Sequence, residues 1–337
     1  MSPDATRALG RNPLRVSALG LGCGPFGNLL ADVADADLHA ATAAARGAGV
    51  TYFDTAPFYG HGLSEHRIGE CVRRVPRDAF VLSTKVGRLL RPDQSAVTQG
   101  PFASTLPFAT VFDYSYDGAM RSVEDSLQRL GLARIDIVHI HDVNRKWQGE
   151  LLEQRYGESM RGAYRALEKL RADGTIRAIG VGVNDPDILV RYANDGDFDC
   201  FMLAGRYTLI DTTALPALLP LCERKRIGVL LAAPLSSGIL ATGAIAGAKH
   251  WYADAAPDVL ERVRRIQDVC GRHRVPLLAA TLQFPLAHPA MASVVVGMRN
   301  AREVADAAAA LRHPIPADLW RELRRDGLID PDAPVPT

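Results

Sequence analysis

The 337-residue sequence predicts a (β/α)8 barrel with long loops on the face formed by the carboxyl ends of its strands. Eight short apolar segments alternate with helical segments, which is typical of a parallel sheet covered by helices. The count of eight favours a closed barrel over an open doubly wound sheet. No Gly-x-Gly-x-x-Gly motif opens a helix after the first strand, and this weakens the alternative of a dinucleotide-binding sheet.

Composition indicates a globular protein with a large core, long enough for one barrel or two smaller domains. Hydrophobic residues make up 47% and charged residues 23%, which is ordinary for such a protein. The formal net charge of +1 gives no reason to expect nucleic acid or an anionic membrane as a partner. No stretch has secretory or transmembrane length, and the five cysteines are widely spaced. We therefore expect reduced thiols and a cytoplasmic protein.

The strands can be assigned in order along the chain. Residues 1–15 are a polar lead-in or a small hairpin, and the barrel pattern follows, so we expect a single domain over residues 1–337. The expected strands are short apolar runs, several of which end in a polar residue: SALGLG, VTYFD, AFVLSTK, IDIVHIH, IRAIGVGV, CFMLAG, GVLLAA and SVVVG.

Helices are expected where apolar residues recur with helical spacing. Gly47, Gly131 and Gly174 end three of these patterns, and Ser64 is a candidate N-cap. The predicted helical ranges are 35–46, 64–73, 120–131, 163–174, 187–192, 215–223, 259–273, 277–287 and 301–311.

Two segments are longer than ordinary connections between barrel elements. Residues 88–116 lack a helical period and are rich in Pro, Gly, Ser and Phe, and residues 235–257 carry His250, Trp251 and Tyr252. Both segments contain aromatic residues, which argue against a disordered insertion. Long loops on the catalytic face of a barrel usually build the substrate pocket, so we expect that role here.

Four polar residues stand at or just beyond the ends of predicted strands. Asp54 ends the second strand and Tyr59 lies in the loop after it, while Lys85 and His141 end the third and fourth strands. Because strand carboxyl ends face the active site of a barrel, these side chains are expected to converge there. Together they form a candidate set of groups for proton transfer.

The motifs around these four residues resemble those of the aldo-keto reductases. The resemblance is carried by FDTAPFYG, STK and the histidine that ends IVHIH, and it extends from about Leu19 to about Leu328. Within that family, the sequence is most similar to sugar-oxidising members, the D-threo-aldose 1-dehydrogenases and L-fucose dehydrogenases. The segments similar to them are STKVGRLLRP, FDYSYDGAMRSVEDSLQRLG, LAGRYTLID, LSSGIL, LQFPLAHP and LWRELRRDGLI. Pyridoxal 4-dehydrogenases share much of this pattern.

The resemblance implies hydride transfer between a nicotinamide cofactor and the substrate, while a protein side chain transfers one proton to or from the substrate. Tyr59 is then the acid/base. Because a free phenol has a pKa of about 10, we expect the ammonium of Lys85 to favour the phenolate, and Asp54 to hold Lys85 in place. His141 is expected to hydrogen-bond the reacting oxygen or to relay the proton. Oxidation of a pyranose at its C1 hydroxyl would give a lactone.

The resemblance also implies cofactor contacts. Asn184 is the nearest amide for the nicotinamide carboxamide, and four residues in the loop after the seventh strand correspond to positions around the pyrophosphate: Leu235, Ser237, Gly238 and Leu240.

The residues after the eighth strand bear on the choice between NAD and NADP. Gly297 and Arg299 stand at a predicted helix N-terminus, which suits the adenosine phosphate or ribose. A carboxylate at Glu303 would repel a 2′-phosphate and accept a hydrogen bond from a 2′-hydroxyl, which favours NAD. Arg299 and Arg302 could instead pair with a phosphate, which leaves NADP open.

A sugar substrate would need aromatic faces and a few hydrogen-bonding partners, for which the candidates are Phe26, Phe58, Tyr114, Asp142, Tyr207 and Trp251. Three functions remain open: an aldose 1-dehydrogenase, a pyridoxal dehydrogenase or general carbonyl reductase, and a nucleotide-binding regulatory subunit. All four catalytic residue types are present, which weighs against the regulatory subunit. The histidines lack acidic or thiol partners at ligand spacing, so no metal is predicted.

Overall fold

The computed structural model describes residues 2–95 and 97–336. Over these residues, eight parallel strands close into a barrel, as predicted. Counting every strand in chain order, the bounds are β1 Thr6–Leu9, β2 Asn12–Ser17, β3 Leu19–Gly22, β4 Tyr52–Asp54, β5 Val81–Val86, β6 Arg88–Pro92, β7 Phe108–Phe112, β8 Ile137–His141, β9 Ala178–Val183, β10 Cys200–Ala204, β11 Gly228–Ala232, β12 Lys249–His250, β13 Ala253–Asp254 and β14 Met291–Gly297. The barrel strands are neighbours in the order β3-β4-β5-β8-β9-β10-β11-β14.

Helices cover the outside of the barrel. Their bounds are α1 Asp35–Gly47, α2 Leu63–Val72, α3 Tyr116–Leu130, α4 Arg145–Gln148, α5 Leu152–Arg161, α6 Ala163–Ala172, α7 Pro186–Asp195, α8 Leu218–Lys225, α9 Ile239–Thr242, α10 Pro257–Arg272, α11 Leu277–Gln283, α12 Ala301–Arg312 and α13 Ala317–Arg325. Among the described residues, no helix combines the length and apolar composition needed to cross a membrane.

All nine predicted helices are present, with shifted ends, and α4, α5, α9 and α13 were not predicted. The N-cap expected at Ser64 is wrong, because this residue lies inside α2 and its hydroxyl donates to the carbonyl oxygen of Cys23 at 2.7 Å. The segment predicted at 277–287 is α11 followed by a 3-10 turn that begins at Pro285. Proline has no N–H to continue the helical hydrogen bonding.

The lead-in is a hairpin that closes the amino-terminal end of the barrel. β1 and β2 pair antiparallel, and Leu9, Leu14 and Val16 pack against the inward side chains of the barrel strands. The turn requires Gly10, whose φ is +60°, because a Cβ atom there would lie 2.2 Å from the carbonyl oxygen of Arg226.

Alternation along each strand separates the outer core from the barrel interior. In β8, Val138 and Ile140 pack into the large cluster shared with the helices, whereas Ile137 belongs to the interior cluster. His139 and His141 share the inward face with Ile137, since successive side chains of a strand point to opposite sides. The barrel therefore directs the polar ends of its strands toward one mouth.

Both long segments contain secondary structure that their sequences did not indicate. Within residues 88–116, β6 and β7 form an antiparallel ribbon in which Arg88 pairs with Phe112. Within residues 235–257, α9 is followed by the short hairpin of β12 and β13. All five cysteines are free thiols, and four of them are buried.

Candidate active site

Lys85 and Asp54 form a buried ion pair at the mouth of the barrel. The Nζ atom of Lys85 donates to Asp54 Oδ1 at 2.9 Å, to Asp54 Oδ2 at 2.8 Å and to the carbonyl oxygen of Thr55 at 2.7 Å. Both side chains are almost fully buried. All three hydrogens of the ammonium are therefore used by Asp54 and Thr55.

A second polar contact holds Asp54 from the barrel interior. The Ser83 hydroxyl donates to Asp54 Oδ1 at 2.6 Å and is itself 2.8 Å from the hydroxyl of Tyr52. Burial raises the pKa of Asp54, and Lys85 and Ser83 oppose that shift. The carboxylate is thus fixed on two sides by groups that favour its charged form.

Tyr59 lies beside this pair, with Lys85 Nζ 4.6 Å from the centre of its ring. Its hydroxyl makes no hydrogen bond to any residue that the structure describes. Burial raises the pKa of Tyr59 well above 10, and the carboxylate of Asp54 adds to that shift. Burial thus outweighs the lowering of the phenol pKa that was expected from Lys85, whose ammonium also donates to both oxygens of Asp54.

His141 approaches Tyr59 edge to face, with the ring centres 6.3 Å apart. Burial holds its pKa well below 6.5, and the charges of Lys85 and Arg88 act in the same direction, so the imidazole is neutral at physiological pH. His139 lies two residues earlier on the same face of β8 and is fully buried. Its ring occupies space that Gly180 leaves free, since a Cβ atom there would come within 2.2 Å of His139 Nδ1.

These side chains border a cavity of about 570 Å³ at the carboxyl ends of the strands. Asp54, Tyr59, Lys85 and His141 all contribute to its wall. Aromatic residues from the loops and from α4 form much of the remainder, and they are Phe58, Phe102, Trp147, Trp251 and Tyr252. A concave, mainly apolar cavity with a few convergent polar groups is the usual form of a small-molecule site.

Three of the six predicted substrate residues, Phe58, Asp142 and Trp251, line the cavity. The structure corrects the other three, whose side chains are at most 1% exposed. Phe26 packs in the outer core. Tyr114 lies behind the wall and donates to the carbonyl oxygen of His141 at 2.7 Å. Tyr207 stacks on Phe284, with ring centres 5.3 Å apart. Aromatic residues in loops are as suited to packing as to binding.

The cavity floor is lined by small residues on several strands, which are Gly22, Gly182, Ala204, Ala232 and Gly297. At Gly182 a Cβ atom would meet no other atom closer than 3.7 Å, so the missing side chain leaves open cavity space. Asn184 stands at the edge of the same floor. The space above these small residues and the adjacent amide fit a nicotinamide ring and its carboxamide.

The residues predicted around the pyrophosphate do not line the cavity. Leu235, Ser237 and Gly238 lie outside the cavity wall, at the loop that follows β11, and Ser237 Oγ accepts from the Tyr252 N–H at 3.0 Å. The side chain of Leu240 is fully buried in the outer core, and the place of this residue around the pyrophosphate stays a prediction.

Arg299 and Glu303 form a pair at the start of α12. Glu303 Oε1 accepts from Arg299 Nε at 2.8 Å and from Nη2 at 2.6 Å, and Oε2 accepts from the Arg299 backbone N–H at 2.7 Å. Gly297 lines the cavity two residues earlier. In the sequence analysis the Glu303 carboxylate favoured NAD and the Arg299 guanidinium left NADP open. In the structure these two groups form an ion pair and neutralise one another.

Several residues around the cavity were not predicted from the sequence, among them Lys146, Trp147 and Arg88. Lys146 and Trp147 line it from α4, a helix capped by Asn144, whose side chain accepts from the Trp147 N–H. Arg88 stands behind the wall and pairs with Asp142. The Asn-x-x-Trp spacing was an available helix-start signal, whereas nothing in the sequence distinguished Arg88 from other arginines of the long loop.

A parallel (β/α)8 barrel with acid/base side chains and a cavity at the strand carboxyl ends defines the class of TIM-barrel enzymes. The chain belongs to the Aldo/keto reductase family, whose profile matches residues 18–325. It is thus an oxidoreductase of the NAD(P)H-using aldo-keto reductase type.

The relatives that match nearly the whole chain include two dehydrogenases. Pyridoxal 4-dehydrogenase of Microbacterium luteolum is 41% identical over 334 residues, which cover 96% of this chain and 97% of the relative. D-threo-aldose 1-dehydrogenase of a Pseudomonas species is 38% identical over 322 residues, covering 94% and 95%. The holo form of an aldo-keto reductase from Bacillus halodurans shares the fold, with a TM-score of 0.76 at 23% identity and coverage of 96% of each chain.

Proposed function

We propose that the protein oxidises the C1 hydroxyl of an aldose, of the L-fucose or D-threo type, to a lactone with NAD(P). The observation that carries the proposal is the meeting of Tyr59, Lys85, Asp54 and His141 at one cavity whose wall combines aromatic rings with the carboxylate of Asp142. Aromatic faces and carboxylate acceptors are the groups that a sugar ring with several hydroxyls requires.

A second candidate is the oxidation of pyridoxal, which the 41% identical relative favours. The two candidates share one reaction. An aldose closes on itself to a cyclic hemiacetal, and the hydroxymethyl group of pyridoxal can add to its aldehyde in the same way. In both cases loss of hydride from the hemiacetal carbon and of a proton from its hydroxyl gives a lactone.

In the proposed reaction, side chains of the protein carry out the proton transfer. Tyr59 in its phenolate form accepts the proton of the hemiacetal hydroxyl. Lys85, held by Asp54 and Thr55, provides positive charge beside the ring of Tyr59. His141, which is neutral, donates or accepts a hydrogen bond at the reacting oxygen and selects its orientation.

Asn184 and the small residues of the cavity floor would hold the nicotinamide. When bound, this group supplies the hydride acceptor. The aromatic wall excludes water from the reacting atoms, which strengthens the electrostatic interactions there.

The pH dependence of oxidation should follow Tyr59. Because burial raises its pKa above the ordinary value of 10, the phenolate fraction is small at neutral pH and grows as pH rises. We expect kcat/KM for oxidation to increase by up to about tenfold per pH unit between about pH 7 and about pH 9. No inflection is expected near pH 6.5, since the pKa of His141 lies well below that value. A profile that is flat or falling across this range would contradict the assignment.

The preference for NAD over NADP is tested at Glu303. Glu303→Arg removes a carboxylate and releases Arg299, so the ratio of kcat/KM for NADP to that for NAD should rise by about tenfold or more. Glu261→Arg makes the same substitution at an exposed residue of α10, where it releases Arg264, and serves as the control. The proposal for this site fails if the ratio does not change or if the two variants change it equally.

The substrate is tested by initial rates with NAD and with NADP on L-fucose, D-arabinose, L-galactose and pyridoxal. Rapid oxidation of L-fucose or D-arabinose supports the aldose 1-dehydrogenase. Activity on pyridoxal alone moves the protein to the second candidate. Cofactor binding without turnover of any compound would overturn both and favour the regulatory subunit.

A further inference from the structure

A buried ion pair lies beside His141, and the proton-transfer proposal does not use it. Arg88 donates to Asp142 Oδ2 from Nε at 3.2 Å and from Nη2 at 2.8 Å. Arg88 is only 2% exposed, and Asp142 lines the cavity. A charged pair is seldom placed in a largely apolar cavity wall without a role, because removing both charges from water is costly.

Three aromatic rings enclose the guanidinium. Its central carbon lies 4.0 Å from the ring centre of Phe58, 4.3 Å from that of Phe112 and 4.2 Å from that of Trp147. The rings come from the loop after β4, from β7 and from α4, so three separate segments meet on one side chain. A planar guanidinium stacked on rings in this way has little freedom to rotate.

The backbone of Asp142 is also held in place by hydrogen bonds, as the side chain of Arg88 is held by aromatic rings. Its φ of +58° lies in the left-handed region, which is uncommon for a residue other than glycine. Its N–H donates to the carbonyl oxygen of Gly182 at 3.1 Å, and its carbonyl oxygen accepts from Gln148 Nε2 at 2.9 Å. These contacts turn the side chain that follows His141 toward Arg88 and the cavity.

One oxygen of the carboxylate remains available. Both contacts from Arg88 go to Oδ2, and Oδ1 has no hydrogen bond to any residue that the structure describes. Burial raises the pKa of Asp142, and Arg88 opposes that shift. An acceptor oxygen at a cavity wall, beside a neutral histidine, is suited to a hydroxyl group of a bound molecule.

We propose that Arg88 is a positioning residue that holds Asp142 so that its free oxygen Oδ1 accepts a hydrogen bond from a substrate hydroxyl near the reacting carbon. The pair then selects hydroxylated carbonyl compounds and their hemiacetals over unhydroxylated ones. This inference rests on the proposed function. It identifies a hydroxyl group near the reacting carbon as the feature of the substrate that the cavity recognises.

The test compares reduction of glyceraldehyde and of propanal, which have the same carbon skeleton with and without hydroxyls. The readout is the ratio of kcat/KM for glyceraldehyde to kcat/KM for propanal, measured with NADH and with NADPH. Asp142→Asn and Arg88→Met should each lower this ratio about 10- to 100-fold, the loss of one charged hydrogen bond. Arg88→Lys keeps the charge without the planar fork, so its ratio should lie between those of Arg88→Met and the wild type.

Arg191→Met is the matched control. Arg191 also donates twice to one carboxylate, that of Glu153, and its guanidinium lies 4.1 Å from the ring centre of Tyr156, but on the outer helices. The ratio should not change in this variant. If Arg88→Met proves too unstable to assay, the nearly isosteric Asp142→Asn and the conservative Arg88→Lys still decide the question.

Two results would overturn the inference: an unchanged ratio in Asp142→Asn and Arg88→Lys, or an equal loss of activity on both aldehydes, which marks a structural role. The aldehyde ratio does not require that the protein oxidise sugars. If L-fucose, D-arabinose, L-galactose and pyridoxal are all inert but the ratio falls as expected, the proposed function fails and the role of Arg88 stands. If sugar is oxidised and the ratio does not move, the inference alone fails.

Discussion

Replacing Tyr59 with phenylalanine should lower kcat by about 10³-fold while the affinity for the cofactor stays within about twofold of the wild-type value. The hydroxyl is the group proposed to exchange the proton, and it makes no hydrogen bond to the described part of the chain. Its removal therefore leaves the surrounding contacts intact. Steady-state kinetics measure the first quantity, and titration of protein fluorescence with NAD measures the second.

The control for this experiment is Tyr116→Phe, which deletes the same atom from a partly exposed tyrosine at the start of α3. It should retain wild-type kcat. Turnover by Tyr59→Phe near the wild-type rate would remove Tyr59 from the mechanism. A large loss of cofactor affinity would show instead that the hydroxyl acts in binding.

Replacing Lys85 with methionine should abolish turnover and destabilise the fold by about 3–5 kcal/mol at neutral pH. Methionine fills much of the same volume but leaves the carboxylate of Asp54 buried. Among the described residues, only the Ser83 hydroxyl would then donate to its oxygens. Urea unfolding followed by fluorescence, fitted for the free energy of unfolding, measures the loss.

The sign of the pH dependence follows from Asp54. Burial already raises its folded-state pKa above 3.8, and loss of Lys85 should raise it further. A raised carboxyl pKa costs stability where the folded group is ionised, and that cost shrinks as pH falls through the folded-state pKa. The deficit of Lys85→Met relative to the wild type should thus be smaller at about pH 5.5 than at about pH 7.5.

The control is Lys169→Met, which breaks the pair of Lys169 with Asp173 on the surface, where both side chains are about half exposed. Such exposed pairs contribute less than about 1 kcal/mol, so stability and turnover should change little. A deficit for Lys85→Met that is equally small, or that does not vary with pH, would contradict the burial of an unpaired carboxylate.

The barrel and the four strand-end residues could be predicted because both depend on local order along the chain. Apolar runs such as FVLSTK and IDIVHIH define strands, and a parallel barrel brings all their carboxyl ends to one mouth. Asp54, Lys85 and His141 therefore had to lie near one another once the strands were assigned. Their motifs also carried the resemblance to the aldo-keto reductases, which the match over residues 18–325 confirms.

Which residues line the cavity could not be predicted, because this depends on contacts between segments that are distant in the chain. The local sequence pattern does not encode such contacts. Phe58 and Tyr114 are alike as loop aromatics, yet one faces the cavity and the other supports His141 from behind. The effect of the Lys85 charge on the pKa of Tyr59 likewise depends on tertiary contacts, because Asp54 and Thr55 accept all three hydrogens of the ammonium. The sequence thus specified which polar groups meet, and the tertiary packing decided their partners, burial and pKa, because those properties depend on every neighbouring side chain at once.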